Sequence, residues 1–385
     1  MSEENGKVIT DADLKPFPKH EIDVNDPSLT FVMEFPAPTG DLRDIVKNHM
    51  LKMAFVEWRP ENDVVIGWEP GAEGDFRVEL QYDKGKTYYG MTYAGSASCL
   101  DLFEQYLKDG VYAPPFNYYL EAVGNNCSTS IAMSYQQLID FPVTGGYKPT
   151  SKRVGILTFP TKLNKPPYEK FGDNWITQDL FDLNSENDIY EAYAKLDRGD
   201  LIYKNKVGSG HTRMVSRVEV TRDGNGNIAP FNSFIYCIEQ TNTWDKDRPG
   251  NVSTWFIDKK YGFDRLYVNK FMPVTLCVFH EENPVLRKAY VTFNGKNTGE
   301  TLKDRMSGVI ESNFVLNYVM ARLADKDGNV VKEVLVHIKS AKYTFDVSEL
   351  KDKLFDSVPS GTYVYSLRAG ISRGGCDVER FEVKV

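Results

Sequence analysis

No apolar run in the chain approaches the ~18 to 20 residues that a membrane-spanning helix needs. The opening segment, MSEENGKVITDADLKPFPKHEIDVND, is polar throughout and has no apolar core, so it does not read as a secretory signal. The expectation is a chain that stays in the cytoplasm as written, or a secreted or envelope protein whose leader has been removed. Cysteine is scarce: Cys99, Cys127, Cys237, Cys277 and Cys376 are five in 385 residues. An odd, dispersed set excludes a disulfide framework and clustered zinc ligands, so no metal and no cofactor is expected. Histidine is equally scarce, at five. Positive charge is in deficit, with 46 Lys+Arg against 54 Asp+Glu and a net charge of −8. Without a clustered cationic surplus, a nucleic-acid partner is excluded. Internal repeats and low-complexity tracts are absent too.

What is present is globular. Hydrophobic residues make up 41% and charged residues 26%, and the length suits about two to three domains. The 22 Tyr and 22 Phe favour β-rich structure and aromatic-lined clefts. Residues 1–37, with Pro16 and Pro18, show no sustained period and read as an extended arm. Helical spacing of Leu42, Ile45, Val46, Met50 and Met53 predicts a helix over 39–58, stopped by Pro60. Short strands follow at 63–68 and 76–82. A second helix is expected over 98–107, capped by Ser98 and ended by Gly110. A third runs from Cys127 to about Ile139, with Ile131, Tyr135, Leu138 and Ile139 as its apolar face. Residues 141–183 read as loops. Ser185 with Asp188 forms a capping box for a helix over 185–196. Strands are expected at 201–204, 211–221 and 234–241, the last two joined at Asp223-Gly224-Asn225-Gly226-Asn227.

After Pro284 the pattern becomes short alternating runs without a strong helix, at 289–293, 314–323, 334–338, 343–347, 362–369 and 380–385. Such spacing predicts a β-sandwich of immunoglobulin-like type, without the Cys…Trp…Cys pattern of antibody domains. The division expected is an arm over 1–37, an α+β domain over 38–282 and an all-β sandwich over 283–385. Three tempting motifs reduce to local structure. Arg198-Gly199-Asp200 is a helix end followed by a strand start, and Asp325-Lys326-Asp327-Gly328 is a hairpin turn. Lys351-Asp352-Lys353 is a solvated loop.

Among the cysteines, Cys127 stands out. It opens a helix after Gly124-Asn125-Asn126, where the positive end of the helix dipole favours the thiolate. First-turn N–H groups there are suited to hold an oxyanion. Of the histidines, His20 falls in the arm, His49 in the first helix, His280 near the domain boundary and His337 in the sandwich. His211, at a strand start after Gly208-Ser209-Gly210, is left as the base. A third group should orient its ring. In Tyr236-Cys237-Ile238-Glu239-Gln240-Thr241, alternation sends Glu239 and Gln240 to opposite faces, so either accepts the imidazole N–H but not both. Glu239 is preferred, as a carboxylate flanked on its face by small residues.

The order of a helix-start Cys127, then Gly199-Asp200-Leu201-Ile202, a strand-start His211 and a strand bearing Glu239 resembles the NlpC-type cysteine peptidases. These are papain-fold enzymes that cut bacterial cell-wall peptides. Tyr89-Gly90-Met91-Thr92-Tyr93 is similar to that family's Tyr-x-Gly-x-Pro-Tyr element. Tyr261-Gly262-Phe263 and Phe271-Met272-Pro273-Val274-Thr275 resemble a closing segment of some bacterial members. The resemblance spans residues 39 to 280 and departs from the pattern where Asn126-Cys127-Ser128-Thr129 stands for Asp-Cys-Ser-Gly. It implies a papain-like domain with Cys127 as nucleophile, His211 as base and acid, and Glu239 or Gln240 as orienter. Tyr93, Ser128 and Gln240 would line the substrate cleft. The implied activity is amide hydrolysis in murein peptides, with the sandwich touching a wall polymer. The rivals are a catalytically silent glycan- or peptide-binding protein and an acyltransferase or deamidase on the same fold.

Overall fold

The structure is a computed structural model that describes residues 20–29, 31–67, 79–143, 157–158, 176–182, 184–207, 209–248, 250 and 252–385. Most of the expected arm, the start of the strand expected at 76–82, most of the loop-rich stretch 141–183, and Gly208 lie outside these residues.

The fold is mixed α and β, rich in strands and poor in helix. The part of the chain before residue 283 is organised on a six-stranded antiparallel sheet. The strand order is Trp255–Gly262, Phe234–Gln240, Ser209–Glu219, Leu201–Lys206, Met272–Thr275 and Leu157–Thr158. The helix Cys127–Tyr135 packs on the strands Ser209–Glu219 and Phe234–Gln240, and the helix Leu42–Phe55 packs on it in turn. A helix in that middle position has no face left for water. From Thr129 to Tyr135 every residue is buried, and Ser130, Ala132 and Ser134 keep it slim enough to fit.

The helix Leu42–Phe55 starts where the Asp41 carboxylate accepts the Asp44 N–H at 3.0 Å. It buries Val46, Met50, Met53 and Ala54. It is shorter than the expected 39–58, because Glu57–Pro60 leaves as a strand and buries Trp58 against Tyr82, Tyr88, Phe103 and Tyr112. The second helix is also short, Leu100–Glu104, with Cys99 rather than Ser98 at its cap. Gly110 does not end it. Leu107–Lys108 pairs with Val111–Tyr112, and the turn puts Asp109 and Gly110 at φ 51° and 74°. The third helix stops at Tyr135, after which Gln137 and Leu138 make three-residue turns to Ser134 and Tyr135. The Ser185–Asp188 capping box is present and opens the helix Glu186–Tyr193. Arg198-Gly199-Asp200 is tied inward: Arg198 pairs with Asp41 and Asp44, and buried Asp200 with Arg43 at 2.9 Å.

The last hundred residues, with Phe31–Phe35 added, form two four-stranded antiparallel sheets around a second core. One sheet has the order Val330–His337, Leu316–Ala324, Thr362–Ile371 and Gly374–Lys384. The other is Phe31–Phe35, Ala289–Asn294, Val309–Ser312 and Thr344–Asp346. The described end of the expected arm is thus not free. Phe31–Phe35 is extended, and it pairs antiparallel along Ala289–Asn294, Val32 opposite Thr292 and Phe35 opposite Ala289. Alternation explains the assignment, because Met33 and Phe35 turn toward the second core. One local expectation is corrected. Lys351–Phe355 is a short helix that buries Leu354, not a solvated loop. Cys376 lies in the strand Gly374–Lys384 and is buried. Asp325 does close a hairpin, its carboxylate accepting the N–H groups of Asp327 and Asn329 at 2.9 Å.

A polar seam joins the two cores. Buried Asn317 accepts the Cys99 N–H at 2.8 Å and donates to the Ala97 carbonyl at 2.6 Å. Ala97 has φ 58°, so this side chain holds a backbone conformation that alanine rarely adopts. Arg368 reaches Asp101 at 2.7 Å, and Ser372 donates to the Met133 carbonyl at 2.5 Å on the helix that starts with Cys127. Replacing Asn317 with Leu leaves a buried N–H and a buried carbonyl unpaired. It should cost about 2–6 kcal/mol, at about 1–3 kcal/mol for each orphaned group. Urea unfolding measures this, and an unchanged midpoint would show that the seam contributes nothing.

Candidate active site

The backbone around Cys127 is set by Asn126. Its Oδ1 accepts the N–H groups of Ser128 and Thr129, both at 3.1 Å, while the Thr129 hydroxyl accepts the Asn126 N–H at 2.8 Å. Asparagine caps a helix as well as aspartate does, so the departure from Asp costs the turn nothing. Just upstream, Gly124 is required by contact: a Cβ there would lie 2.2 Å from the Thr92 carbonyl oxygen. That closeness lets Asn125 donate to Thr92 at 3.2 Å and accept from Ala94 at 3.0 Å, which ties Tyr93 beside the helix start. Among the described residues the Cys127 N–H has no acceptor. It is therefore a donor at the helix start with its hydrogen uncommitted.

His211 lies on the strand Ser209–Glu219, opposite Lys204. Its Nε2 hydrogen-bonds Glu239 Oε2. With Nε2 engaged, Nδ1 is the ring nitrogen left free, and His211 and Cys127 stand close enough to shift each other's proton affinity. Glu239 is 2% exposed. Its carboxylate is held by three donors from the two flanking strands: His211 and Arg213 on one, at 2.7 Å for Arg213 Nε, and Tyr261 through its hydroxyl on the other. The expected faces of that strand are what the structure has. Gln240 goes the other way, fully buried, and donates to the Met91 carbonyl at 2.8 Å beside the Trp255 indole. It does not meet His211. Ser128 donates its hydroxyl to Asn126 Oδ1 at 3.0 Å, so it supports the helix start.

The electrostatics form one system. Burial pushes the Cys127 thiol up, but hydrogen bonding and charge from His211, with the Thr212 backbone, outweigh it and hold the pKa below the ordinary 9.0. Burial likewise opposes protonation of His211, yet its bonds to Cys127 and Glu239 bring it up to about 9. Burial would raise Glu239, but His211, Arg213 and Tyr261 bring it down to about 2. A lowered thiol beside a raised imidazole favours the thiolate–imidazolium pair over the neutral one. The other described cysteines differ. Cys99, Cys237 and Cys376 are buried free thiols, each with its pKa raised mainly by burial.

Three phenols stand near the sulfur. Tyr93 is buried against Tyr119, ring centroids 5.7 Å apart. Tyr203 is pushed up to about 12, first by burial and then by the charge on Cys127. Of these only Tyr93 was expected. Tyr119, Tyr203 and Arg213 carried no readable signal, although Arg213 lies two residues from His211 and so shares its face of the strand; Tyr261 stood in the closing segment without a role assigned to it. Among the described residues no group of three or more His, Cys, Asp or Glu side chains gathers to hold a metal ion, and no helix is long and apolar enough to cross a membrane.

No protein-family model, curated protein or solved structure matches the chain.

Two outcomes follow from these charges and their partners. Below neutral pH, iodoacetamide should alkylate Cys127 well before Cys99, Cys237 or Cys376, and peptide mapping after a short exposure reads the order. Uniformly slow labelling would exclude the ion pair. Glu239 has a depressed folded pKa, so the stability it supplies is complete above its ordinary 4.5 and is lost as pH falls toward about 2. Glu239→Gln should flatten that part of the stability–pH curve measured by urea unfolding.

Proposed function

We propose that this chain is a cysteine hydrolase that cleaves amide bonds, built on a papain-like domain of NlpC type followed by an immunoglobulin-like sandwich. The observation that carries the proposal is a helix-start Cys127 paired electrostatically with His211, whose Nε2 meets the buried carboxylate of Glu239. The antiparallel sheet with its buried helix supports the papain-like reading, and the two packed sheets support the sandwich.

The chemistry runs through groups already in place. The thiolate attacks the amide carbonyl carbon, forming a C–S bond while the carbonyl electron pair moves onto oxygen. The Cys127 N–H faces that developing charge. The His211 imidazolium passes its Nδ1 proton to the nitrogen as the C–N bond breaks, leaving a thioester. His211, now neutral, takes a proton from water, whose oxygen attacks the thioester and releases the acid and the thiolate. Throughout, Glu239 holds the ring by Nε2, so Nδ1 keeps facing sulfur. We assign bacterial cell-wall peptides as the substrate class, on the sequence resemblance over residues 39 to 280. The sandwich is assigned contact with a wall polymer.

The test is hydrolysis of purified murein peptides, read as new amine and carboxyl ends by mass spectrometry. The parent should cleave them, and Cys127→Ala should lose at least about 1,000-fold in rate, as expected when a covalent nucleophile is removed. Equal rates for the two would end the hydrolase reading. Transfer of the acyl group to an added amine, or release of ammonia without chain cleavage, would instead mark an acyltransferase or a deamidase.

A further inference from the structure

Arg213 occupies an unusual position for a cation beside a catalytic histidine. Its guanidinium is stacked between two rings, 3.9 Å from the Tyr261 centroid and 4.2 Å from that of Phe271. Its Nε donates to Glu239 Oε2 at 2.7 Å, the same oxygen that His211 Nε2 contacts. The second oxygen, Oε1, accepts the Tyr261 hydroxyl. His211 itself meets Phe271 edge to face, with centroids 6.4 Å apart. One carboxylate therefore divides its charge between an imidazole and a guanidinium, and two aromatic rings hold the guanidinium flat against it. The remaining titratable and charged groups that face this set are Cys127 and Tyr203 toward the sulfur, Lys204 on the adjacent strand, and Cys237 and Asp258 behind it.

We propose that Arg213 is a positioning residue that sets the proton affinity of His211 through their shared Glu239 carboxylate. The inference rests on the hydrolase reading for its purpose, since a histidine that must both give and take a proton in one cycle cannot be held permanently charged. A buried Glu239 facing the imidazole alone would be a full uncompensated charge, and it would lock the ring as imidazolium. Arg213 works in two ways that both lower the ring's hold on a proton. It matches part of the carboxylate charge, and its own charge repels a proton on the ring. Tyr261 acts with it by fixing Oε1, so the carboxylate cannot rotate away from Nε2.

The test uses the full chain with 13C-labelled histidine. Five histidines give a sparse spectrum, and His211→Gln assigns the signal. The His211 titration midpoint is compared between the parent, Arg213→Met and Arg213→Lys. Loss of the neighbouring charge in Arg213→Met should move the midpoint upward by about half a unit or more. Arg213→Lys restores the charge without the fork or the stacking, and should return the midpoint at least halfway to the parent value. A purely structural Arg213 would change stability and leave the midpoint in place. An unmoved midpoint in a folded Arg213→Met protein overturns the proposal. If Arg213→Met does not fold, Tyr261→Phe decides: the carboxylate loses one donor, so the midpoint must again rise, and an unmoved value overturns the proposal. Failure of the hydrolase reading appears separately, as a parent that leaves murein peptides intact, and it leaves the Arg213 shift measurable.

Discussion

A carboxylate charge buried inside a sheet has to be met by donors, and in this protein the charge on Glu239 organises everything around the sulfur. Taken out of water alone, such a charge costs several kcal/mol. It is tolerated because the strands Ser209–Glu219 and Trp255–Gly262 flank Glu239's own strand and bring His211, Arg213 and Tyr261 to its two oxygens. The register of those three strands therefore decides where the imidazole stands. The imidazole in turn decides the state of the thiol, because the thiolate on Cys127 is favoured over its burial cost chiefly by His211. A slip of one residue in the strand Phe234–Gln240 would present Gln240, whose amide is neutral and is already committed to the Met91 carbonyl.

The second constraint is the seam between the two cores. The helix that begins with Cys127 is buried on all sides, and part of its cover comes from the sandwich. Ser372 donates to the Met133 carbonyl, Gln137 donates to Ser372, and Arg373 donates to the Gln136 and Leu138 carbonyls beyond the helix end. The sandwich thus satisfies acceptors at the C-terminal end of the helix whose N-terminal end bears the thiol. It also touches the loop that carries Tyr119, where the His337 ring meets the Glu121 carbonyl at 2.9 Å. Burial favours the uncharged form of His337 and pushes it down to about 4, so that contact is made by a neutral ring at neutral pH. The chain returns the support: Phe31–Phe35, which precedes the first helix, completes one sheet of the sandwich.

Much of this was legible in local pattern. Asn126 before Cys127 is a cap signal, the alternation of residues 236–241 separates Glu239 from Gln240, and Ser185 with Asp188 is a capping box that forms. The short runs after Pro284 became strands, because period-two patterning needs only a nearby apolar surface to act on. What local pattern missed has a common cause. Helices 39–58 and 98–107 were cut short because Trp58, Leu107 and Val111 gain more from strand pairing and aromatic packing than from another helical turn. Residues 31–35 carried no sign of their partner, because the strand they pair with lies more than 250 residues away in the chain.

By itself the sequence determined the helix that begins at Cys127, the strand that carries His211 and the face on which Glu239 points, since each depends on residues within one or two turns of chain. Only the tertiary structure decided that these three groups meet. It alone placed Arg213 between Tyr261 and Phe271, and Tyr119 and Tyr203 near the sulfur. The physical reason is that a side chain's direction follows from local backbone geometry, whereas its partners follow from strand register and from which surfaces pack. Those are set by summed burial and hydrogen bonding across the whole fold, which no short window of sequence contains.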